Sequence, residues 1–184
     1  MIYGKGFRLR APEREDIPRF VAWLNDPKVR AGLILYLPIS KAEEEGWFEN
    51  MLKSPREEHP LVIEISEKES WKPIGNCGFH AIDWHIRSAE VGIFIGEKAY
   101  WNQGYGTDVM HRLLRHGFST LNLNRISLQV YDNNPRAIRS YQKAGFIQEG
   151  CLRQAEFKDG VYIDVLVMSV LLDEWKEINQ KNQA

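Results

Sequence analysis

Cysteine is scarce in this chain: only Cys77 and Cys151 occur among 184 residues. Neither has a second Cys or a His at metal-ligand spacing, which argues against a disulfide framework and against a metal site. Both fall in probable strands and read as packed or half-exposed thiols rather than ligands or nucleophiles. An excess of one charge is missing too. Lys+Arg 24 against Asp+Glu 25 leaves a net charge of −1, so the chain carries no polyanion-binding signature and nucleic acid is not an expected partner. No apolar run approaches the roughly 20 residues that a membrane span needs. The opening Met1-Ile2-Tyr3-Gly4-Lys5-Gly6 lacks the apolar core of a signal peptide, so a cytoplasmic location is the expectation. Repeats, low-complexity tracts and linkers are absent as well. What remains is 43% hydrophobic and 27% charged, the balance of one globular domain over residues 1–184.

Periodicity supplies the elements. Phe7 to Arg10 alternates apolar and basic residues, a short strand with Phe7 and Leu9 inward. Acidic residues after Pro12 suit a helix start; Ile17, Phe20, Val21 and Leu24 give that helix an apolar face, and Pro27 should stop it. Residues 29–39 read as a loop or broken helix. Ser40-Lys41-Ala42-Glu43 is a capping box, opening a helix predicted to bury Trp47, Phe48, Met51 and Leu52. Strands follow over Leu61–Ile65 and Ile74–Trp84, with a polar turn at 67–73 and with Gly75 and Gly78 marking a bulge or a close backbone approach. Another strand spans Ala89–Ile95.

Next comes Ala99 to Phe118, a strand-to-helix junction. Val109, Met110, Leu113, Leu114 and Phe118 recur at helical spacing, and Gly104 and Gly106 flank Tyr105 where the helix should begin. Missing Cβ atoms let backbone N–H groups approach an anion, and the first helical turn adds orphan donors and a positive dipole end. A phosphate or pyrophosphate is the natural guest. The lysine-bearing Gly-x-x-x-x-Gly-Lys-Ser/Thr loop of nucleotide triphosphatases is not present. Ile126–Tyr131 then completes a βαβ unit, which demands parallel pairing. Asn134 caps one more helix with Pro135 in its first turn and Gly145 at its end. Two closing strands, about Phe146–Phe157 and Tyr162–Leu171, are joined by the hairpin signal Asp159-Gly160, and a short amphiphilic helix or tail starts at Leu172.

Two stretches carry a family resemblance. Gly104-x-Gly106, preceded by Trp101 where an Arg or Gln is usual, and Asn134-x-x-Ala137-Ile138-x-x-Tyr141-x-Lys143-x-Gly145-Phe146 together resemble the GNAT acetyltransferases. Phe7-Arg8-Leu9-Arg10-Ala11-Pro12 and Phe118-Ser119-Thr120-Leu121-Asn122-Leu123 look like the ribosomal-protein alanine and spermidine N-acetyltransferase branch. The resemblance spans nearly the whole chain and implies an α/β (α+β) fold. Its sheet would be mixed and mostly antiparallel, of about six to seven strands, splayed at a central parallel pair and with helices on both faces. The cofactor-binding core would cover about residues 88–146.

It also implies acetyl-CoA as co-substrate, with no metal. Backbone groups of Gln103, Gly104, Tyr105, Gly106 and Thr107, flanked by Asn102, would hold the pyrophosphate. The pantetheine arm would add to the strand Val91–Ile95 as an extra strand does, placing Phe94 and Ile95 among the cofactor contacts. A backbone N–H of that strand would meet the oxyanion. Asn134 would touch the cofactor, or merely cap its helix; the two roles are compatible. Tyr141 would be the general acid beside the thioester sulfur, or pack against Ala137 and Ile138. A free primary amine is scarce at pH 7, less than about 0.1%, so a base is needed. Glu90 is the first candidate, with His80, Asp83 and His85 as reserves.

The acceptors implied, in order, are a protein or peptide N-terminal amine, a small amine such as a polyamine, and an amino sugar. The apolar loop Leu33-Ile34-Leu35-Tyr36-Leu37 suits an acceptor with an apolar portion or a homodimer contact. Glu43, Glu44 and Glu45 are explained by the helix dipole alone. A non-catalytic acetyl-CoA sensor is the rival, with no use for Tyr141 or Glu90.

Overall fold

The computed structural model describes residues 1–68 and 70–181. Eight strands, β1 (Ile2–Tyr3), β2 (Phe7–Arg10), β3 (Leu61–Glu67), β4 (Ser70–Asp83), β5 (Ser88–Ile95), β6 (Arg125–Tyr131), β7 (Ile147–Lys158) and β8 (Val161–Leu171), follow the order β1-β2-β3-β4-β5-β6-β8-β7. The fold is a mixed α/β arrangement with an open, mostly antiparallel sheet. Among the described residues β5 pairs with β6 in parallel. The strand beyond the predicted six or seven is β1, whose two residues pair with Leu9 and Arg8 and are too few to alternate visibly.

Residues group into two compact units, 1–80 with 92–105, and 81–91 with the chain from 106 onward. In the first, Phe7 and Leu9 point inward as predicted, at 2% and 0% exposure. Their neighbours Arg8 and Arg10 send Nε atoms to the buried Glu64 at 2.6 and 2.8 Å, and Arg10 also clasps Asp16. That closed set lets two carboxylates be buried without an orphan charge. Helix α1 (Ile17–Asn25) buries Ile17, Phe20 and Trp23. Pro27 ends it but also begins the single turn α2 (Pro27–Arg30), capped by Asp26, because proline is welcome at a first helical position.

Helix α3 (Lys41–Met51) shows both capping-box bonds. Its buried stripe is Glu44, Phe48 and Met51, spaced four and three, whereas Trp47 and Leu52 are 37% and 54% exposed. Of the four residues predicted to be buried, Phe48 and Met51 are and Trp47 and Leu52 are not. Trp47 lies on the flank, edge-on to Phe20, and Leu52 lies past the last turn. The polar turn predicted at 67–73 is shorter than expected, since β3 reaches Glu67 and β4 begins at Ser70; Glu69 lies outside the described residues. Gly75 is the close approach, for a Cβ there would lie 2.1 Å from the Phe94 carbonyl oxygen.

In the second unit, helix α4 (Tyr105–Ser119) buries the predicted Val109, Met110, Leu113, Leu114 and Phe118. Helix α5 (Pro135–Ala144) ends at a left-handed Gly145. Asp159 and Gly160 both have positive φ, 50° and 84°, as the two-residue hairpin turn between β7 and β8 requires. Helix α6 (Leu172–Lys181) returns Trp175 to Phe118 at 5.4 Å; the tail beyond it, residues 182–184, lies outside the described residues. Among the described residues no helix is long and apolar enough to cross a membrane.

Candidate active site

The parallel ladder is short. Ser88, Ala89 and Glu90 pair with Arg125, Ile126 and Ser127, and the register ends there, while β5 continues to Ile95. The backbone groups of that continuation stand next to the glycine-containing junction. Trp101, which occupies the position where the motif has Arg or Gln, donates its indole N–H to the Ile95 carbonyl oxygen at 2.7 Å and so fastens the loop to the strand end.

Asn102 and Gly104 hold φ of 60° and 90°, Gln103 donates to the Ala99 carbonyl, and all three residues are exposed. A Cβ on Gly104 would meet nothing within 4 Å. Open space over a left-handed glycine, immediately before the first turn of α4 and its orphan N–H groups, fits the oxygens of a diphosphate. Tyr105 opens the helix with its ring against Tyr100, 6.0 Å between centroids. Phe94, Ile95, Asn102, Gln103, Gly104 and Tyr105 thus belong to the first unit.

The second unit contains Glu90, Gly106, Thr107, Asn134 and Tyr141. Gly106 is closely packed: a Cβ there would sit 3.2 Å from Ser140 Oγ, and Thr107 Oγ1 lies 3.0 Å from the same hydroxyl. Ser140 was not singled out in the sequence, although it precedes Tyr141 in the motif. Asn134 accepts from the Ala137 N–H at 3.2 Å and so caps α5.

Tyr141 is 8% exposed, with its ring 5.9 Å from Phe146. Burial pushes its phenol up to about 12, against a smaller opposing pull from the Arg136 charge. It therefore stays protonated throughout the physiological range, as a hydrogen-bond donor must. Glu90, at the last ladder pair, is half-buried and accepts from Gln129 Nε2 at 3.1 Å.

The reserve residues separate. Asp83 accepts from the backbone N–H groups of His85 and Ile86 at 2.8 and 3.2 Å, a turn-capping role that accounts for its presence. His80 is exposed on β4, next to Gly92 of β5. Cys77 is buried, and burial pushes its thiol up. Cys151 is exposed on β7; desolvation and Asp164, 3.5 Å away, raise its thiol as well. Neither thiol is a thiolate at neutral pH, so neither is armed as a nucleophile. Among the described residues no group of three or more His, Cys, Asp or Glu side chains could hold a metal ion.

Comparison with known proteins gives a consistent picture. The family description "Acetyltransferase (GNAT) domain" matches residues 7–147. The chain is 31% identical over 176 residues to the uncharacterized N-acetyltransferase p20 of Bacillus licheniformis, covering 95% of this chain and 97% of that one. It is also 31% identical over 167 residues to the spermidine N(1)-acetyltransferase of Vibrio cholerae, covering 91% and 94%. Among solved structures, the Vibrio cholerae spermidine N-acetyltransferase in complex with CoA and spermine superposes with a TM-score of 0.85 at 28% identity, over 93% of this chain and 98% of that one.

Proposed function

The chain belongs to the GNAT acetyltransferase family and is an acetyl-CoA-using N-acetyltransferase; on that premise we propose that it moves the acetyl group onto a primary amine by direct attack on the thioester, as one catalytic domain. The observation that carries this reading is the conjunction of an open left-handed Gly104, the N-terminus of α4 at Tyr105, and a β5 that outruns its parallel ladder by five residues. The backbone N–H groups of Gln103 to Thr107 hold the diphosphate. Gly92 to Ile95 offer the pantetheine arm a strand edge, in which one N–H steadies the carbonyl oxygen as charge develops on it. Asn134 adds a contact to the coenzyme while capping α5.

Tyr141 faces the departing sulfur in this reading. A phenol at about 12 and a thiol near 8.5 differ by about 3.5 pH units, so complete proton transfer to the thiolate is uphill by about 5 kcal/mol. Its contribution is therefore a hydrogen bond to the developing charge, with solvent completing the protonation. Glu90 supplies the carboxylate that attracts and orients the incoming ammonium.

For the acceptor, the spermidine-acetylating relative favours a small aliphatic amine. A peptide N-terminus is the second reading, favoured by Ile34, Tyr36 and Leu37, which stand 61%, 57% and 77% exposed in the loop before α3 and offer apolar contact beyond the amine. We place the reaction in the cytoplasm, since Cys77 and Cys151 are both free thiols. Free thiol release from acetyl-CoA, followed with spermidine, spermine, short peptides and an amino sugar, tests the assignment. Turnover with spermidine and none with peptides is the expected pattern. Coenzyme binding without acetylation of any amine would instead favour a sensor.

A further inference from the structure

Helix α5 has two faces of different character. Ala137, Tyr141 and Ala144 recur at i, i+4 and i+7, and Tyr141 and Ala144 are buried. Arg136, Arg139, Ser140 and Lys143 recur at i, i+3, i+4 and i+7, the spacing of a second face, which runs from half-buried to exposed. Residues 135–144 carry three cations and no anion, in a chain whose net charge is −1. Lys143 suits the negative C-terminal end of the helix dipole, whereas Arg136 and Arg139, in the N-terminal half, gain nothing from it. Among the described residues Arg139 and Lys143 form no hydrogen bond or ion pair. Neither packing nor helix formation accounts for Arg139.

Ser140 fixes where that basic face stands. Its hydroxyl lies 3.0 Å from Thr107 Oγ1 and 3.2 Å from a Cβ built on Gly106, against the first turn of α4. Arg139 precedes Ser140 and Lys143 follows it by one turn, so both exposed cations stand beside that first turn on its solvent side. The orphan N–H groups of the same turn are those assigned above to the diphosphate. Asp108, the acidic residue of that turn, is exposed and pairs with neither cation.

Resting on the N-acetyltransferase reading, we propose that Arg139 and Lys143 bind the 3′-phosphate on the coenzyme's ribose. Coenzyme A carries negative charge in two places, the diphosphate and a phosphate monoester on the adenosine ribose, and the backbone N–H groups of the α4 turn account only for the first. A phosphate monoester at neutral pH is close to a dianion and presents strong acceptor oxygens. The guanidinium fork of Arg139 meets two of those oxygens at once, and the Lys143 ammonium adds a point charge one turn along the same face. The pair selects the complete coenzyme over its dephosphorylated form. It adds affinity and takes no part in the bond changes at the thioester.

The test is calorimetric titration with coenzyme A and with 3′-dephospho-coenzyme A, on wild type, Arg139→Gln, Lys143→Gln and the double variant. Expected is a wild-type preference for coenzyme A of about tenfold or more, shrinking as salt is added. The double variant should lose that preference by binding coenzyme A more weakly while holding 3′-dephospho-coenzyme A at the wild-type affinity, a split that a merely structural role for the two side chains would not give. Equal wild-type affinity for the two ligands, a preference that survives in the double variant, or variants that weaken both ligands by the same factor overturns the assignment. A wild type that binds neither ligand sinks the transferase reading itself, whichever residues stand at 139 and 143.

Discussion

Single side chains decide the chemistry, and two of them have measurable signatures. Replacing Tyr141 by Phe removes one hydroxyl from a buried ring and should lower kcat by about 100-fold while leaving the KM for acetyl-CoA within about threefold. Steady-state kinetics at saturating amine checks this, and an unchanged kcat would remove Tyr141 from the mechanism. Glu44 makes the second case. It is 5% exposed on the core stripe of α3, and burial pushes its carboxyl up. The folded state therefore favours the protonated form, and its stability contribution, present below the unfolded carboxyl's range, is lost as pH rises through the folded value. Glu44→Gln should melt higher than wild type at pH 7, by roughly 2–4 °C for each kcal/mol recovered, with the difference vanishing near pH 4. Thermal melts at the two pH values decide it. The motif made Tyr141 legible in the sequence. The burial of Glu44 was not, because Glu43 and Glu45 beside it supply the same charge, and only packing tells which of the three faces inward.

At the scale of an element, the junction between β5 and α4 is where backbone conformation and binding coincide. Gly104 has φ of 90° with open space around it, and Gly6 has φ of 75° with the same openness far from the junction in sequence. Alanine at either position should cost about 1–2 kcal/mol of stability from left-handed strain alone. Only Gly104→Ala should also weaken coenzyme binding, by about tenfold, since a strain of that size distorts the loop that holds the anion. Calorimetric titration of both variants separates the effects; equal coenzyme affinity in the two would remove the loop from the site. The helices were readable at this scale because their caps are written locally: Ser40 with Glu43, Asn134 with Pro135, and Gly145. The limits of the α3 stripe were less readable, since Trp47 and Phe48 are equally apolar and only the partner surface of Phe20 and Ile17 selects between them.

For the molecule as a whole, stability is linked to ligand and to pH. Coenzyme A at 100 times its Kd should stabilise the fold by about 2.7 kcal/mol, a rise of roughly 5–10 °C in melting temperature. Hydrogen exchange should slow in Gly92–Ile95 and in α5 alike, because the proposed contacts lie on both. Protection confined to one of them would break the link between loop and Tyr141. His116 on α4 sets the acid side. Burial lowers its pKa, so the unfolded chain binds more protons below about 6.5, and stability falls as pH drops through that value. His116→Gln should flatten the stability profile between about pH 6.5 and 5, as urea unfolding at each pH would register.

By itself the amino-acid sequence determined the family, the coenzyme and the order of elements. Each of these rests on short-range signals: glycines where φ is positive, caps one turn from their targets, and apolar residues at the period of the element they lie on. The tertiary structure alone decided how far the parallel ladder extends, that Asp83 caps a turn, that Ser140 rests on Gly106, and that His80 lies against Gly92. Those contacts join residues 12 to 37 positions apart in most cases, across neighbouring strands and helices whose register and packing no local pattern encodes.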